Sequence, residues 1–164
     1  MATKDKTLET LFLETLKDVY HAEKQILRAL GRMAKATQSP ELRSAFETHR
    51  EETDNQVQRL DQIFELMGKR SRGKPCEAMQ GLVEEGREIM EEFKDAPALD
   101  AGLIASAQAI EHYEIARYGT LVSWARHLGM DEAASLLEET LEEEKKTDGL
   151  LTELAEGTLN EEAA

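Results

Sequence analysis

Acidic residues interrupt the apolar face of the predicted helices in this 164-residue chain. Glu23 lies seven residues after Leu16 and seven before Leu30, and a seven-residue step returns an α-helix to nearly the same face. Three further acids also lie seven residues from apolar neighbours on both sides, namely Glu111, Glu114 and Glu144. A buried carboxylate without a partner costs several kcal/mol, so the fold must supply a partner. In four-helix bundles this partner is usually a pair of iron or manganese ions held by inward-facing Glu and His.

Composition and charge narrow the class of protein. The length fits one domain with a sizeable core, and the abundance of Ala, Leu and Glu favours helix over strand. A formal charge of −14 argues against binding to nucleic acid or to an anionic membrane surface. No apolar run approaches the roughly 20 residues that a membrane span needs, and residues 1–10 lack the apolar region of a secretory signal. The single cysteine, Cys76, excludes an internal disulfide, so we expect a cytoplasmic protein.

Apolar residues at helical spacing predict five helices, over about 6–36, 40–67, 77–93, 98–127 and 131–156. Ser39 followed by Pro40 predicts the start of the second helix, because Pro is favoured at the first helical position. Gly129 is predicted to end the fourth helix and Asp131 to cap the fifth. The tail, residues 158–164, is predicted to be disordered.

The connections between the four long helices are short, long and short, and the long one carries the additional helix. Short links join antiparallel neighbours, whereas a long link allows two consecutive helices to run parallel. The prediction is therefore an all-α, ferritin-like four-helix bundle with one long crossover.

Each acid also has a simpler interpretation. Glu23 alone could reflect an error of one position in the helical phase. The pair Glu111 and Glu114 is more informative, because a Glu-x-x-Glu spacing puts both carboxylates on one side of a helix. Agreement with Glu144 on a third helix favours the metal interpretation. Asp148, four residues after Glu144, is a candidate ligand, a hydrogen-bond acceptor beside a ligand, or a solvated residue.

On the second helix His49 falls on the inward-facing series that also contains Leu42, Gln56 and Ile63. A lone His on such a face is more often a core residue than a ligand, but Glu52, three residues on, completes a His/Glu pair. Glu52 could instead be solvated or paired with Arg59. Gln56 and Thr53 are candidate hydrogen-bond donors to the ligands. A carboxylate-rich site with few imidazoles suits iron or manganese better than zinc.

Five stretches carry a resemblance to a known family: residues 18–25, 46–53 with 59–64, 76–82, 109–119, and 136–145 with 147–148. Among them are Asp-Val-Tyr-His-Ala-Glu-Lys-Gln at 18–25 and Ala-Ile-Glu-His-Tyr-Glu-Ile-Ala-Arg-Tyr-Gly at 109–119. The chain resembles the YciE/YciF group of ferritin-like stress proteins, which are relatives of rubrerythrin. The resemblance implies a ferritin-like fold with a crossover helix, a dimetal site and a homodimer.

Carried over by position, the resemblance matches Glu23 to the first-helix ligand, Glu111 and Glu114 to the third-helix pair, and Glu144 to the fourth-helix Glu. The sequence departs from these relatives because it contains no Glu-x-x-His, and the second helix offers His49-x-x-Glu52 instead. The predicted metal ligands are therefore Glu23, His49, Glu52, Glu111, Glu114, Glu144 and Asp148.

Three functions follow. The first is a cytoplasmic protein with two Fe or Mn ions that reacts with peroxide or oxygen under stress, in which Tyr20, Tyr113 and Tyr118 are proton or radical partners or simply core residues. The second is metal binding or sequestration without turnover. The third is an interaction protein whose bundle has lost its metal site, a view that the missing Glu-x-x-His favours.

Overall fold

The computed structural model describes residues 5–164 and is built from α-helices. The five principal helices are α1 (Leu8–Ala36), α2 (Pro40–Leu66), α3 (Glu77–Glu92), α4 (Leu99–His127) and α5 (Asp131–Leu154). The described residues contain no strand, so the all-α prediction is confirmed. Within the same residues, no helix is long and apolar enough to span a membrane.

The helix ends follow local sequence signals with one exception. The Ser39 hydroxyl accepts a hydrogen bond of 3.2 Å from the Leu42 amide at the start of α2. Gly129 follows α4 with a φ of 73°, a conformation that glycine adopts without steric cost. The predicted cap at Asp131 is wrong, because Asp131 is the first helical residue of α5 and Met130 precedes it. A negative side chain is stabilised by the positive N-terminal end of the helix dipole at either position, which explains the error of one residue.

Contacts near the helix ends give the direction of each long helix. The end of α1 meets the start of α2, where Arg43 Nε donates to the Ala34 carbonyl at 3.0 Å. Farther along the pair, the rings of Tyr20 and Phe64 lie 5.5 Å apart, so α1 and α2 are antiparallel.

The other half of the bundle is also antiparallel. Arg126 near the end of α4 pairs with Glu138 near the start of α5 at 2.8 Å, whereas the earlier Gln108 meets Thr152 at 2.8 Å. Asp100 at the start of α4 accepts a hydrogen bond from Thr37, just after α1, at 2.6 Å. Because α4 runs opposite to α1, α2 and α4 point the same way, and the link that contains α3 crosses the bundle.

Two apolar clusters fill the core, one at each end of the bundle. The first includes Ile26, Phe46 and Leu103, and the second includes Leu16, Phe64 and Leu121. Except for Asp100 and Ser106 near the start of α4, the buried polar residues of the long helices fall between these clusters, at Glu23 in α1, 49–56 in α2, 111–114 in α4 and 140–147 in α5. The polar centre is therefore closed off from solvent at both ends by apolar side chains.

The end of the chain differs from the predicted disordered tail. It continues from α5 as a π-helical segment, Ala155–Leu159, and a short helix α6, Asn160–Ala163. Ala155 and Leu159 are four residues apart, face the same side and are buried in the first apolar cluster. The burial of these two residues explains why the tail is ordered, which its largely polar composition does not indicate.

Two glycines allow α3 and α4 to approach closely. A Cβ added to Gly86 would lie 2.7 Å from Ser106 Oγ, and one added to Gly102 would lie 2.7 Å from Ile89 Cγ2. Both distances are too short for real atoms, so the two helix surfaces interlock at these positions.

We expect Gly86→Gln to lower the free energy of unfolding by about 1–3 kcal/mol, because its side chain would force α3 away from α4. Gly81→Gln is the matched control, since Gly81 lies on the same helix with open space around it and should gain about 0.5 kcal/mol from helix propensity. Thermal unfolding of the two variants measures the difference. Equal effects of both substitutions would contradict the close packing of α3 on α4.

Candidate metal centre

Five of the seven predicted ligands meet in the middle of the bundle. All are buried, with at most 2% of each side chain exposed, and they come from all four long helices: Glu23, His49, Glu111, Glu114 and Glu144. We call these five residues the carboxylate cluster. Their helices present them inward because each stands on the same face as apolar residues seven positions away.

The cluster divides into two groups that share Glu144. One group is His49, Glu111 and Glu144, and the other is Glu23, Glu114 and Glu144. Within each group one candidate ligand atom per residue lies within 4.8 Å of the others. Such spacing could accommodate one cation in each group, and Glu144 could contribute to both.

Most of the cluster's polar atoms lack a hydrogen-bond partner among residues 5–164. Both oxygens of Glu114 and both of Glu144 are unpartnered, as is one oxygen each of Glu23 and Glu111. His49 Nε2 lies 2.8 Å from Glu111 Oε1 and 3.5 Å from Glu144 Oε2, but neither oxygen lies in the direction that a hydrogen bond requires. Buried polar groups are nearly always paired, so this concentration of unpaired acceptors could accommodate a cation.

Burial and mutual repulsion disfavour the charged forms of these acids. Burial raises the pKa of Glu114 well above its ordinary value, and the charges of Glu144 and Glu23 raise it further. Burial likewise raises the pKa of Glu144, with Glu111 adding to the effect. The pKa of Glu23 rises to about 7, chiefly because the side chain is buried. A divalent cation would reverse this effect, because opposite charge stabilises the carboxylate form.

The imidazole of His49 is oriented from its outer side. Its Nδ1 lies 3.2 Å from Glu52 Oε2 and 3.2 Å from Thr147 Oγ1, which leaves Nε2 facing the carboxylates. A metal-binding imidazole is commonly held in this way by a carboxylate on its other nitrogen. Burial opposes a charge on this ring, but Glu111, Glu52 and Glu144 together outweigh it and raise the His49 pKa well above the usual value.

Glu52 is therefore placed beside the cluster rather than in it. Its side chain is 25% exposed, and the hydrogen bond with His49 lowers its pKa. The structure assigns it the position of a residue that orients His49. The alternative pairing with Arg59 is not seen, because Arg59 binds Glu143 and Glu139 of α5.

Asp148 is not brought into the cluster. One of its oxygens lies 3.0 Å from His112 Nε2, and the other accepts a 3.3 Å hydrogen bond from Gln108. One helical turn beyond Glu144 carries the side chain about 6 Å along α5 and about 40° around it, toward the surface of α4.

Tyr118 is the clearest addition to the site. Its hydroxyl donates a 2.6 Å hydrogen bond to Glu23 Oε1, and the ring is fully buried. Burial, followed by the charge of Glu23, raises the pKa of this phenol well above its ordinary value, so Tyr118 holds its proton. From the sequence, Tyr118 is predicted to be either a proton or radical partner or simply a core residue. Its position seven residues after Glu111 was the signal that placed it on the inward face.

The two predicted donors on α2 make other contacts. Thr53 donates to the His49 carbonyl at 2.8 Å, inside its own helix. The Gln56 amide nitrogen reaches Glu143 at 3.3 Å, and its oxygen stays buried without a partner. Neither residue donates to the carboxylate cluster.

Known proteins resemble this chain over nearly its whole length. Residues 7–164 match the family described as a domain of unknown function, DUF892. The chain is 49% identical to protein YciF of Escherichia coli K12 over an alignment of 162 residues that covers 96% of each chain.

Solved structures agree with this result. The crystal structure of the E. coli stress protein YciF matches with a TM-score of 0.90, over 94% of this chain and 98% of that one. YcfI from Rhodopseudomonas palustris, provisionally described as a structural protein, matches at 42% identity and a TM-score of 0.88, over 93% and 97%. A protein of Xanthomonas campestris matches at 25% identity and a TM-score of 0.75, over 94% of both chains.

The all-α fold and the family match together show that the chain belongs to the DUF892 family. Within it, the relative at 49% identity is YciF, a stress protein of E. coli. The predicted resemblance to the YciF group is thereby confirmed.

The crowding of acids predicts a distinctive pH dependence for protein freed of metal with a chelator. The folded-state pKa of Glu114 lies above its ordinary value of 4.5, so between those values the folded protein binds more protons than the unfolded chain. The free energy of unfolding should therefore fall as the pH rises above 4.5, and the contribution of Glu23 should fall between about 4.5 and 7.

Glu114→Gln removes one of these charges and should raise the free energy of unfolding by about 1–3 kcal/mol at pH 8, with little effect at pH 4. Glu85→Gln on the exposed face of α3 is the matched control and should change little at either pH. Urea unfolding followed by circular dichroism measures both. A loss of stability in Glu114→Gln at pH 8 would show that the acid is not under repulsion.

Proposed function

We propose that this protein is a ferritin-like dimetal carboxylate protein that holds two Fe or Mn ions and reacts with peroxide or oxygen. The observation that carries the proposal is the clustering of buried carboxylates from three helices with His49, in two groups that share Glu144 and leave most of their oxygens unpartnered. Without a cation this arrangement would cost several kcal/mol, and a four-helix bundle with inward Glu and His is the known setting for two such ions.

The residues present fit this role. One ion would be held by His49, Glu111 and Glu144, and the other by Glu23, Glu114 and Glu144. Four carboxylates and one imidazole form a mainly hard donor set, which suits iron or manganese. Four carboxylate charges also balance the four positive charges of two divalent ions.

When bound, the two ions would supply the redox chemistry with peroxide or oxygen. The chain's own residues would prepare the surroundings. Tyr118 holds a proton 2.6 Å from Glu23 Oε1, Glu52 fixes the imidazole of His49, and the two apolar clusters exclude bulk water.

A cavity of about 570 Å³ between α2 and α5 leads from the surface to the outer side of the site. Its inner wall contains His49, Glu52 and Thr147, and its outer part contains Leu150 and Lys146. A small neutral molecule such as peroxide would meet the site from this side.

The proposed reaction that balances without an additional reductant is the dismutation of hydrogen peroxide. One peroxide molecule is reduced to two water molecules while a second is oxidised to oxygen, so electrons and atoms balance between the two substrates. The chain has only Cys76 and therefore cannot form an internal dithiol to supply electrons.

A role in the stress response follows from the relative YciF, which is a stress protein, and a homodimer from the family resemblance. Sequestration of metal without turnover is the second candidate, favoured by the relative YcfI, which is provisionally described as structural.

The metal content tests the first part of the proposal. We expect about two Fe or Mn ions per chain in protein purified without chelator, as in other dimetal bundles. Glu144→Gln should reduce this to below one, because Glu144 belongs to both groups. Glu142→Gln, on the same helix but exposed and paired with Lys145, should leave the content unchanged. Elemental analysis gives the numbers, and equal metal content in the two variants would contradict the assignment.

Peroxide consumption tests the second part. Oxygen release from hydrogen peroxide should be faster with metal-loaded protein than with the same concentration of free ion. Tyr118→Phe should retain the metal but slow oxygen release about tenfold or more, because the proton beside Glu23 is lost. Oxygen electrode traces and metal analysis of the same samples separate these effects. A metal-loaded protein no faster than free ion would leave sequestration as the function.

A further inference from the structure

The negative charge of this protein is distributed unevenly. Residues 1–76 carry 14 Lys and Arg against 12 Asp and Glu, whereas residues 77–164 carry 6 against 22. The acidity therefore belongs to the part of the chain that contains α3, α4 and α5, whereas residues 1–76, which contain α1, α2 and the basic loop that follows α2, have a weak excess of positive charge. An asymmetry of this kind between two parts of a chain directs anions toward one face.

Five cations of α1 and α2 gather at one groove, which we call the basic groove. It has a volume of about 580 Å³ and is lined by Arg28, Arg32, Lys35, Arg43 and Arg50, together with Gly31, Ala34 and Glu47. A concave space of this size is better suited to binding a small ligand than a flat surface would be.

These cations are not used in ion pairs. Among residues 5–164 none of the five has a carboxylate oxygen within 4.0 Å, although the chain has many acids. Several cations elsewhere are paired, as Arg87 is with Glu84 and Arg126 is with Glu138. Within the described part of the chain, Glu47 is the one acid in the lining of the groove, and it forms no ion pair there.

One of the guanidinium groups is held by hydrogen bonds, and a second packs against α1. Arg43 donates to the carbonyls of Ala34 and Thr37 at 3.0 and 2.9 Å, which also closes the end of α1. Arg50 reaches from α2 across Gly31, where its Cζ lies 3.7 Å from the position that a Cβ would occupy. Preorganised cations lose less conformational freedom when a ligand binds.

We propose that the basic groove binds a small anion that carries two or more phosphoryl groups. Four of its five cations are arginines, whose planar forks match phosphate oxygens. The cations extend over seven residues on each helix, from Arg28 to Lys35 and from Arg43 to Arg50, or about 10 Å. A single phosphate cannot reach both ends of such an array, whereas a short phosphate chain can. The acidic second half of the chain opposes the approach of long nucleic acid.

The proposal is independent of the metal centre and can be tested with inorganic tripolyphosphate. Isothermal titration calorimetry at low salt should detect binding to the purified full chain. The double variant Arg28→Gln/Arg50→Gln should weaken it about tenfold or more, since it removes two charged hydrogen-bond donors from the groove. The control Arg87→Gln/Arg126→Gln removes the same charge from α3 and α4 and should bind within about twofold of the original protein.

Three further measurements make the result specific. Metal content measured before and after titration shows whether tripolyphosphate removes metal from the protein. Heat from metal removal would be equal in both double variants. Inorganic phosphate should bind more weakly than tripolyphosphate, and a short DNA duplex should compete poorly. No binding of tripolyphosphate, equal loss in both double variants, or tighter binding of the duplex would overturn the proposal. Loss of self-association in Arg28→Gln/Arg50→Gln without tripolyphosphate binding would instead make the groove an interface between copies.

Discussion

Repulsion among buried carboxylates is the constraint on which the rest of this structure depends. Glu114 and Glu144 have no hydrogen-bond partner for either oxygen, and Glu23 and Glu111 each have one unpartnered oxygen. A bundle of this size could bury aliphatic side chains at these positions and be more stable. The acids therefore lower the stability of the fold, and the proposed bound cations account for both their number and their placement.

The surrounding structure keeps these acids together in spite of that cost. Apolar clusters above and below the polar centre hold all four long helices, so the centre cannot open without exposing a core. Thr147 and Glu52 fix the His49 ring from outside, and Tyr118 fixes Glu23 from the other side. Contacts thus hold the site from two sides, and a cavity reaches it beside His49.

The sequence predicted the inward-facing acids well because seven-residue spacing is a strictly geometric signal. It predicted the helix ends because Ser39, Pro40 and Gly129 act locally. The sequence was less informative about side chains whose positions depend on contacts with a neighbouring helix. Glu52 and Asp148 lie one turn from true members of the cluster, but contacts with His49 and with His112 take them elsewhere. The order of the tail was hidden for the same reason, because Leu159 has its apolar partners on distant helices.

Charge shows a similar separation of roles. The acids in the interior and on α3 to α5 give the chain its overall negative charge, whereas α1 and α2 carry the basic groove on their outer side. The net charge of −14 does not reveal the basic groove. It is the sum of a weakly positive part, residues 1–76, and a strongly negative part, residues 77–164.

Anomalous X-ray diffraction at the iron and manganese absorption edges would test the central claim most directly. Crystals of protein purified without chelator should show two anomalous peaks within the bundle. One peak should contact His49, Glu111 and Glu144, and the other Glu23, Glu114 and Glu144. Crystals soaked in Fe(II) and Mn(II) that show no anomalous density among these residues would contradict the account.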